Sequence, residues 1–342
     1  MLETGLFSAQ ARALIFSVAI AFFVCLAIGP YLIKVFTKMK FGQTVRDDGP
    51  QSHLKKQGTP TFGGIIFYVG ILVSALCLAR VPMDFTIALL VATLGFGLIG
   101  FLDDYIKVKK KRSLGLKPLQ KIVGQMVLAI SLSLYCYFNP LVGSAIYIPI
   151  LDVTWDMGLF YVPFAVFVFI AMTNGSNLTD GLDGLLSGTS IIITASFGVL
   201  TYALMQTEEA LGSPELSAQL HNVLIFSGAM TGGLLGFLRF NSHPAKVFMG
   251  DTGSIGIGAA IAMMGLLTKM VILLPIMAGV FVASSLSVIL QVTSYKYRNG
   301  KRIFKMAPLH HHFELLGMPE VKVVAMYMIV TVLLCLLTFA IL

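Results

Sequence analysis

The sequence predicts an all-α polytopic membrane protein, a bundle of about ten transmembrane helices with both termini outside. A short periplasmic β-hairpin and a short cytoplasmic interfacial helix complete the expected fold. Three observations carry that reading. Apolar residues make up 57% of the chain and charged ones 12%, whereas a soluble domain carries roughly 25% charged residues. The apolar residues fall in runs near the ~20 residues that a helix needs to cross a bilayer. Basic residues are divided very unequally between the two sides that those runs define. No linker, low-complexity stretch or internal repeat interrupts residues 1–342, so one domain is expected.

In order, the runs lie near 14–36, 61–79, 85–102, 119–138, 160–173, 182–205, 223–238, 253–267, 270–293 and 323–341. With ten spans, one side collects 21 of the 24 Lys and Arg residues and the other holds only Arg12, Arg80 and Lys269. Membrane proteins keep their basic loops in the cytoplasm, so the basic side is the cytoplasmic one. Topology and lipid headgroups thereby account for the net charge of +8, and no nucleic-acid partner is expected. The first run lacks a basic leader and cleavage site and reads as a retained helix. Cys25, Cys77, Cys136 and Cys335 are dispersed in apolar runs, which argues against a disulfide framework or a zinc site. Residues 139–161 alternate apolar and polar around 146–150 and 152–155, the pattern of the outward hairpin.

The chemistry lies where this oily chain keeps charge. Residues 172–188 read MTNGSNLTDGLDGLLSG, with two aspartates and no basic residue. If Asn177 opens a helix, it caps it, and Asp180 and Asp183 share one face of the first turns. A cap does not explain two carboxylates at membrane depth, where an ionisable group is a functional signal. Asp103 and Asp104 stand side by side at the end of the third run, with Lys107 and Lys111 following. Ordinary i,i+4 pairing to lysine is worth only a few tenths of a kcal/mol, whereas adjacent carboxylates repel and, at a helix C-terminus, oppose the dipole. A metal or a cationic substrate group would offset that cost.

Asp251 lies between Gly250 and Gly253 where the eighth run begins, a good N-cap position whose glycines leave N–H groups open to a phosphate. Lys56, beside the turn residues Gly58 and Pro60, suits an anion. In PLHHHFELLG, Leu309, Phe313 and Leu316 share a face, which predicts a short helix on the membrane surface. Consecutive histidines on a helix point about 100° apart, so His310, His311 and His312 cannot jointly hold one metal. At least one of them is placed to contact phosphate or relay a proton near neutral pH. Carboxylate oxygens with few nitrogen ligands favour Mg2+, with Mn2+ as a substitute, and a lysine rim fits a polyanion.

FLDDYIKV, NGSNLTDGLDGL, VFMGDTGS and PLHHHFE, in this order, resemble the polyprenyl-phosphate N-acetylhexosamine-1-phosphate transferase superfamily. KQGTPTFGG and PLHHHFELLG look like its branch that handles an N-acetylmuramoyl-pentapeptide, and the likeness is collinear over nearly the whole chain. The resemblance implies transfer of phospho-MurNAc-pentapeptide from UDP-MurNAc-pentapeptide to undecaprenyl phosphate, giving lipid I and UMP. It also implies dependence on Mg2+, ten helices, a homodimer, and a bacterial cytoplasmic membrane with the site on its cytoplasmic face. By motif position it implies Asp251 and Asn177 at the metal, and Asp103 and Asp104 at the lipid phosphate. Asp180, Asp183, Phe248 and Gly250 would border the uridine and diphosphate. Lys56, Thr61, Asn241, Gln291, Ala307 and His311 would complete the cleft, with His311 counted among the catalytic groups and His310 and His312 beside the substrate. Lys111 and Lys121 are the phosphate contacts it suggests. Two alternatives share parts of this pattern. A GlcNAc-1-phosphate transferase would keep the aspartates but not PLHHHFE. An ion-coupled transporter would place its polar groups at mid-span between repeats rather than at one edge.

Overall fold

The computed structural model describes residues 8–39, 56, 58–110, 114–207, 210 and 212–342, so Lys111 lies outside the described residues. The chain is mostly helical, as its apolar composition requires, because a backbone in hydrocarbon must satisfy its hydrogen bonds internally. The helices are α1 (Ala9–Lys38), α2 (Gly64–Leu78), α3 (Asp84–Lys110), α4 (Pro118–Phe138), α5 (Tyr161–Thr179) and α6 (Leu185–Leu204). There follow α7 (Pro214–Asn241), α8 (Gly250–Leu267), α9 (Leu274–Met277), α10 (Gly279–Tyr297), α11 (Leu309–Leu315) and α12 (Glu320–Ile341). Ser8 and Ser213 cap α1 and α7 through their side-chain oxygens, and Pro118 and Pro214 suit first-turn positions.

Eight described helices are long and apolar enough to cross a membrane, or nine if α9 and α10 with the turn before them form one span. The protein is therefore a polytopic membrane protein. α2 is shorter, at 15 residues, although equally apolar. The run expected at 270–293 is not straight. It breaks between Met277 and Gly279 with a bend of 75°, close to Pro275, which cannot donate to a helical ladder.

α8 forms the axis of the bundle and is buried from Thr252 to Leu267. α3 and α5 pack along it, while α7 packs against α1 and α6. α1, α4 and α12 keep large apolar side chains exposed, among them Phe16, Phe23, Val127, Leu333 and Leu336. That is the surface a lipid environment demands. Gly100 of α3 lies so close to the Asp251 carbonyl that a Cβ there would collide with it. This close crossing brings the acidic end of α3 onto the first turn of α8.

The strands β1 (Ala145–Ile148) and β2 (Val153–Asp156) pair antiparallel, with Ile146 opposite Trp155. They stand at the opposite end of the bundle from the aspartates. Three local expectations need correction. Asn177 does not open a helix; it lies in the last turn of α5, and Asp180 caps that helix at its C-terminus. The chain then turns through Gly184, whose φ of +78° favours glycine, and α6 starts only at Leu185. Asp251 is not an N-cap either, since Met249 holds that position and Asp251 is already inside the first turn. Finally, α3 runs on to Lys110, so Asp103 and Asp104 stand about two turns before its end and the dipole penalty expected of them fades.

Candidate active site

Two clusters of charge lie at the end of the bundle where α3, α5, α7 and α10 finish and α4, α6, α8 and α12 begin. In the first, α3 supplies Asp103 and Asp104, both buried, and α8 supplies Asp251. One oxygen from each of the three carboxylates lies within 4.8 Å of the others. At such separations an effective dielectric near 20 gives about 3 kcal/mol of repulsion per pair, so the group requires counter-charge. Lys107, one turn after the aspartate pair, supplies it. Its Nζ is 2.6 Å from Asp103 Oδ2, 3.1 Å from Asp251 Oδ2 and 3.5 Å from Asp104 Oδ1. Lys121, from the first turn of α4, adds a second ammonium 2.7 Å from Asp251 Oδ2.

The other oxygen of each carboxylate is held by the protein. Asp103 Oδ1 accepts from the Leu116 N–H at 2.7 Å. Asp104 Oδ2 accepts from the Thr252 N–H at 2.9 Å and its hydroxyl at 2.8 Å. Asp251 Oδ1 accepts from Asn177 Nδ2 at 2.9 Å, and the same amide donates to Ser254 Oγ at 2.9 Å. Asn177 is thereby locked with its amide nitrogen toward Asp251, which leaves its carbonyl oxygen as the donor it could offer a metal. Gly250, with φ of +72°, packs where a Cβ would strike Asp104 and the buried Thr61. Phe248 fixes the connection before α8 by donating its N–H to the Pro60 carbonyl at 2.8 Å and accepting from Gly63 at 2.9 Å.

The second cluster gathers residues from four connections. Lys56 Nζ lies 2.7 Å from Asp183 Oδ1 and 2.6 Å from Glu320 Oε1. His243 Nδ1 is 3.2 Å from Asp183 Oδ2 and 3.5 Å from Glu320 Oε2. Backbone groups complete it: the Ala245 N–H donates to Asp183 Oδ2 at 3.0 Å and the Asp183 N–H to Glu320 Oε1 at 2.8 Å. Asn241 stands behind, accepting from Ser187 Oγ at 2.8 Å and donating to the Val247 carbonyl at 3.1 Å. Asp180 lies between the clusters. Its carboxyl is pushed up to about 8, first by burial and then by the charges of Asp251, Asp104 and Asp183.

The histidine segment borders the same end. Each ring goes its own way, as the 100° spacing requires. His310 is fully buried, its ring centroid 4.2 Å from that of His311 and 6.4 Å from that of Tyr327. His311 Nδ1 pairs with Glu314 Oε2 at 2.8 Å. His312 Nδ1 accepts from the Lys305 N–H at 3.1 Å. Gln291 ties the preceding loop to α10 by donating to the Phe304 carbonyl at 2.8 Å and accepting from the Ile303 and Phe304 N–H groups at 3.0 and 2.9 Å. Ala307 joins that loop to α11 through a cis bond to Pro308.

The structure thus brings Asp103, Asp104, Lys121, Asn177, Gly250, Asp251 and Thr61 together in one group, and Lys56 and Asp183 in the other. Asn241 and Gln291 engage their amides with loops inside the protein. Sequence reasoning missed Glu320, His243, Thr252 and Ser254. Thr252 and Ser254 stand beside Asp251 in VFMGDTGS and His243 two residues after Asn241, yet each gains its meaning from the chain segment it meets. Lys107 was visible but passed for a helix-surface partner.

Buried carboxylates and lysines thus converge at one end of an apolar helical bundle, and the class of protein is that of a membrane-embedded transferase. Residues 86–269 match the model of glycosyl transferase family 4. The chain belongs to that family and, within it, to the phospho-N-acetylmuramoyl-pentapeptide-transferases. It is 48% identical over 328 residues to the phospho-N-acetylmuramoyl-pentapeptide-transferase of Thermoanaerobacter sp. (strain X514), covering 96% of this chain and 98% of that one. The enzyme of the same name from Desulfitobacterium hafniense is 47% identical over 318 residues, 92% of this chain and 93% of its own. That of Clostridium novyi is 43% identical over 326 residues, 95% and 96% of the two chains.

Proposed function

We propose that this protein transfers phospho-MurNAc-pentapeptide from UDP-MurNAc-pentapeptide to undecaprenyl phosphate, yielding lipid I and UMP, the first membrane step of bacterial peptidoglycan synthesis. Its relatives' shared name supports the reaction. The observation that carries the site is the convergence of Asp103, Asp104 and Asp251 with Lys107 and Lys121. Oxygen donors without histidine or thiolate suit a hard divalent ion, so the set fits Mg2+, with Mn2+ as a substitute. Asp251 and Asn177 would hold it, joined by the neighbouring carboxylates. When bound, it would supply positive charge where phosphoryl oxygens and the departing UMP accumulate negative charge.

The chain's own residues do the rest. The lipid phosphate monoester has a second pKa of about 6, so much of it is already a dianion at neutral pH. It attacks the β-phosphorus of the UDP-sugar; the new P–O bond forms as the bond to the α-phosphate oxygen breaks, and UMP departs with that electron pair. The main obstacle is repulsion between two anions, and Lys121 and Lys107 lower it. Asp103 would take the proton from any monoanionic lipid phosphate. Asp104, held by both donors of Thr252, is oriented rather than mobile. Lys56 and Asp183 would border the nucleotide side, and His311, whose Nδ1 pairs with Glu314, would stand near the substrate. We read the site as cytoplasmic, in the bacterial inner membrane, on the strength of the basic loops. By family likeness we read the protein as a homodimer.

Product analysis tests the reading. Purified protein, undecaprenyl phosphate and Mg2+ should form lipid-linked sugar phosphate and stoichiometric UMP from UDP-MurNAc-pentapeptide, and not from UDP-GlcNAc. Stoichiometric UMP release with label held on the protein, before any lipid is added, would replace direct attack by a phospho-aspartate route.

A further inference from the structure

We propose that Lys107 is a resident counter-ion that a divalent cation must displace, and that its displacement delivers the ammonium to the substrate's phosphates. The inference rests on the metal reading above and goes beyond it. It follows from which oxygens remain. Asp103 Oδ1, Asp104 Oδ2 and Asp251 Oδ1 are committed to Leu116, Thr252 and Asn177. The three oxygens left, Asp103 Oδ2, Asp104 Oδ1 and Asp251 Oδ2, are those that face Lys107 Nζ at 2.6, 3.5 and 3.1 Å. A small divalent ion seeks such oxygens at about 2.1 Å, so it competes for the places the ammonium holds. Sharing them would set a double and a single positive charge within a few ångströms of each other.

Lys107 can yield without disturbing the fold. Its stem is flexible and its side chain 26% exposed, so the ammonium is not sealed into the position it holds. Lys121 is differently placed, since among the described residues its ion pair is with Asp251 Oδ2. The exchange links two events at one site. Without the cation, Lys107 neutralises the carboxylates and offers nothing to a phosphate. Once the cation takes the inner oxygens, the same ammonium becomes an anion-binding group beside it, so cation and diphosphate each favour the other's binding.

The test uses the full-length protein in detergent, with Mn2+ binding followed by electron paramagnetic resonance. Lys107→Met should bind Mn2+ at least about tenfold more tightly than wild type. Lys121→Met removes the same charge from one carboxylate instead of three, and should tighten binding by clearly less. Without metal, Lys107→Met should unfold at a lower temperature than wild type and regain more on adding Mg2+. On the wild-type protein itself, Mg2+ should speed acylation of the Lys107 amine relative to Lys117, read by mass spectrometry. Equal tightening by both variants, unchanged or weaker binding in Lys107→Met, or protection of Lys107 by Mg2+ would each overturn the exchange. If wild type binds no Mn2+ and product formation survives chelation, the metal reading falls and takes the exchange with it. If wild type binds Mn2+ but the variants do not differ, the exchange alone falls.

Discussion

Lys107 and Lys56 each bridge carboxylates at the same end of the bundle, one from inside a helix and the other from a connection. Around Lys107 the acids come from α3 and α8, two rigid helices in close contact at Gly100, and they outnumber the bases three to two. Around Lys56 they come from the α5–α6 turn and the start of α12, with His243 added from the α7–α8 connection. The first cluster has its geometry set by helix packing and keeps a surplus of negative charge, which is what a cation site requires. In the second, a single lysine joins connections that also meet through His243 and two backbone N–H donors. The first is built to exchange its partner; the second is built to keep it.

That contrast can be broken at several points. The largest effect belongs to the first cluster. Asp251→Asn removes the charge common to both lysines while preserving shape, and turnover measured as UMP release should fall roughly 10^3-fold with little change in unfolding temperature. A variant near the wild-type rate would take Asp251 out of the reaction. At the second cluster the order of effects should reverse. Lys56→Met leaves Asp183 and Glu320, both mostly buried, without their shared cation, and should cost about 3 kcal/mol of stability. Equilibrium unfolding in detergent reads that loss, and a change confined to KM would make Lys56 a substrate contact with no structural role.

The smallest effect lies between the clusters and sharpens the comparison through pH. Folded Asp180 keeps its proton up to about 8, while in the unfolded chain it loses it near 3.9. Across that window the folded state binds more protons, so this group's contribution to stability is full at low pH and is lost as pH rises through about 8. Asp180→Asn should flatten the fall in metal-free unfolding temperature between pH 5 and about 8.5. An unaltered slope would assign that pH dependence to other groups.

Much of this was legible in the chain because hydrocarbon is an unforgiving solvent. Apolar runs marked the spans, and Asp103, Asp104, Asp180, Asp183 and Asp251 were conspicuous because charge at membrane depth needs a reason. What stayed hidden was set by contact between segments. The Asn177–Asp180 spacing fits a helix start as well as the helix end found here, and only the left-handed turn at Gly184 decides between them. Lys107 at i+4 from Asp103 looks the same on a solvated surface as in a three-carboxylate group, until α8 is laid across α3. Glu320 begins α12 after a proline and reads as a favourable first-turn acid. The bend between Met277 and Gly279 was masked by unbroken hydropathy.

The Lys56–Glu320 pair has a consequence for how the protein is made. Its partners are 264 residues apart, so the connection that carries Lys56 waits for this counter-charge until nearly the whole chain has been synthesised. Until α12 is in place, Lys56 and Asp183 lack one corner of their cluster. A chain that ends before α12 therefore carries the three aspartates of the first cluster but not the complete second cluster. The contact that completes the second cluster is thus among the last that the growing chain can make.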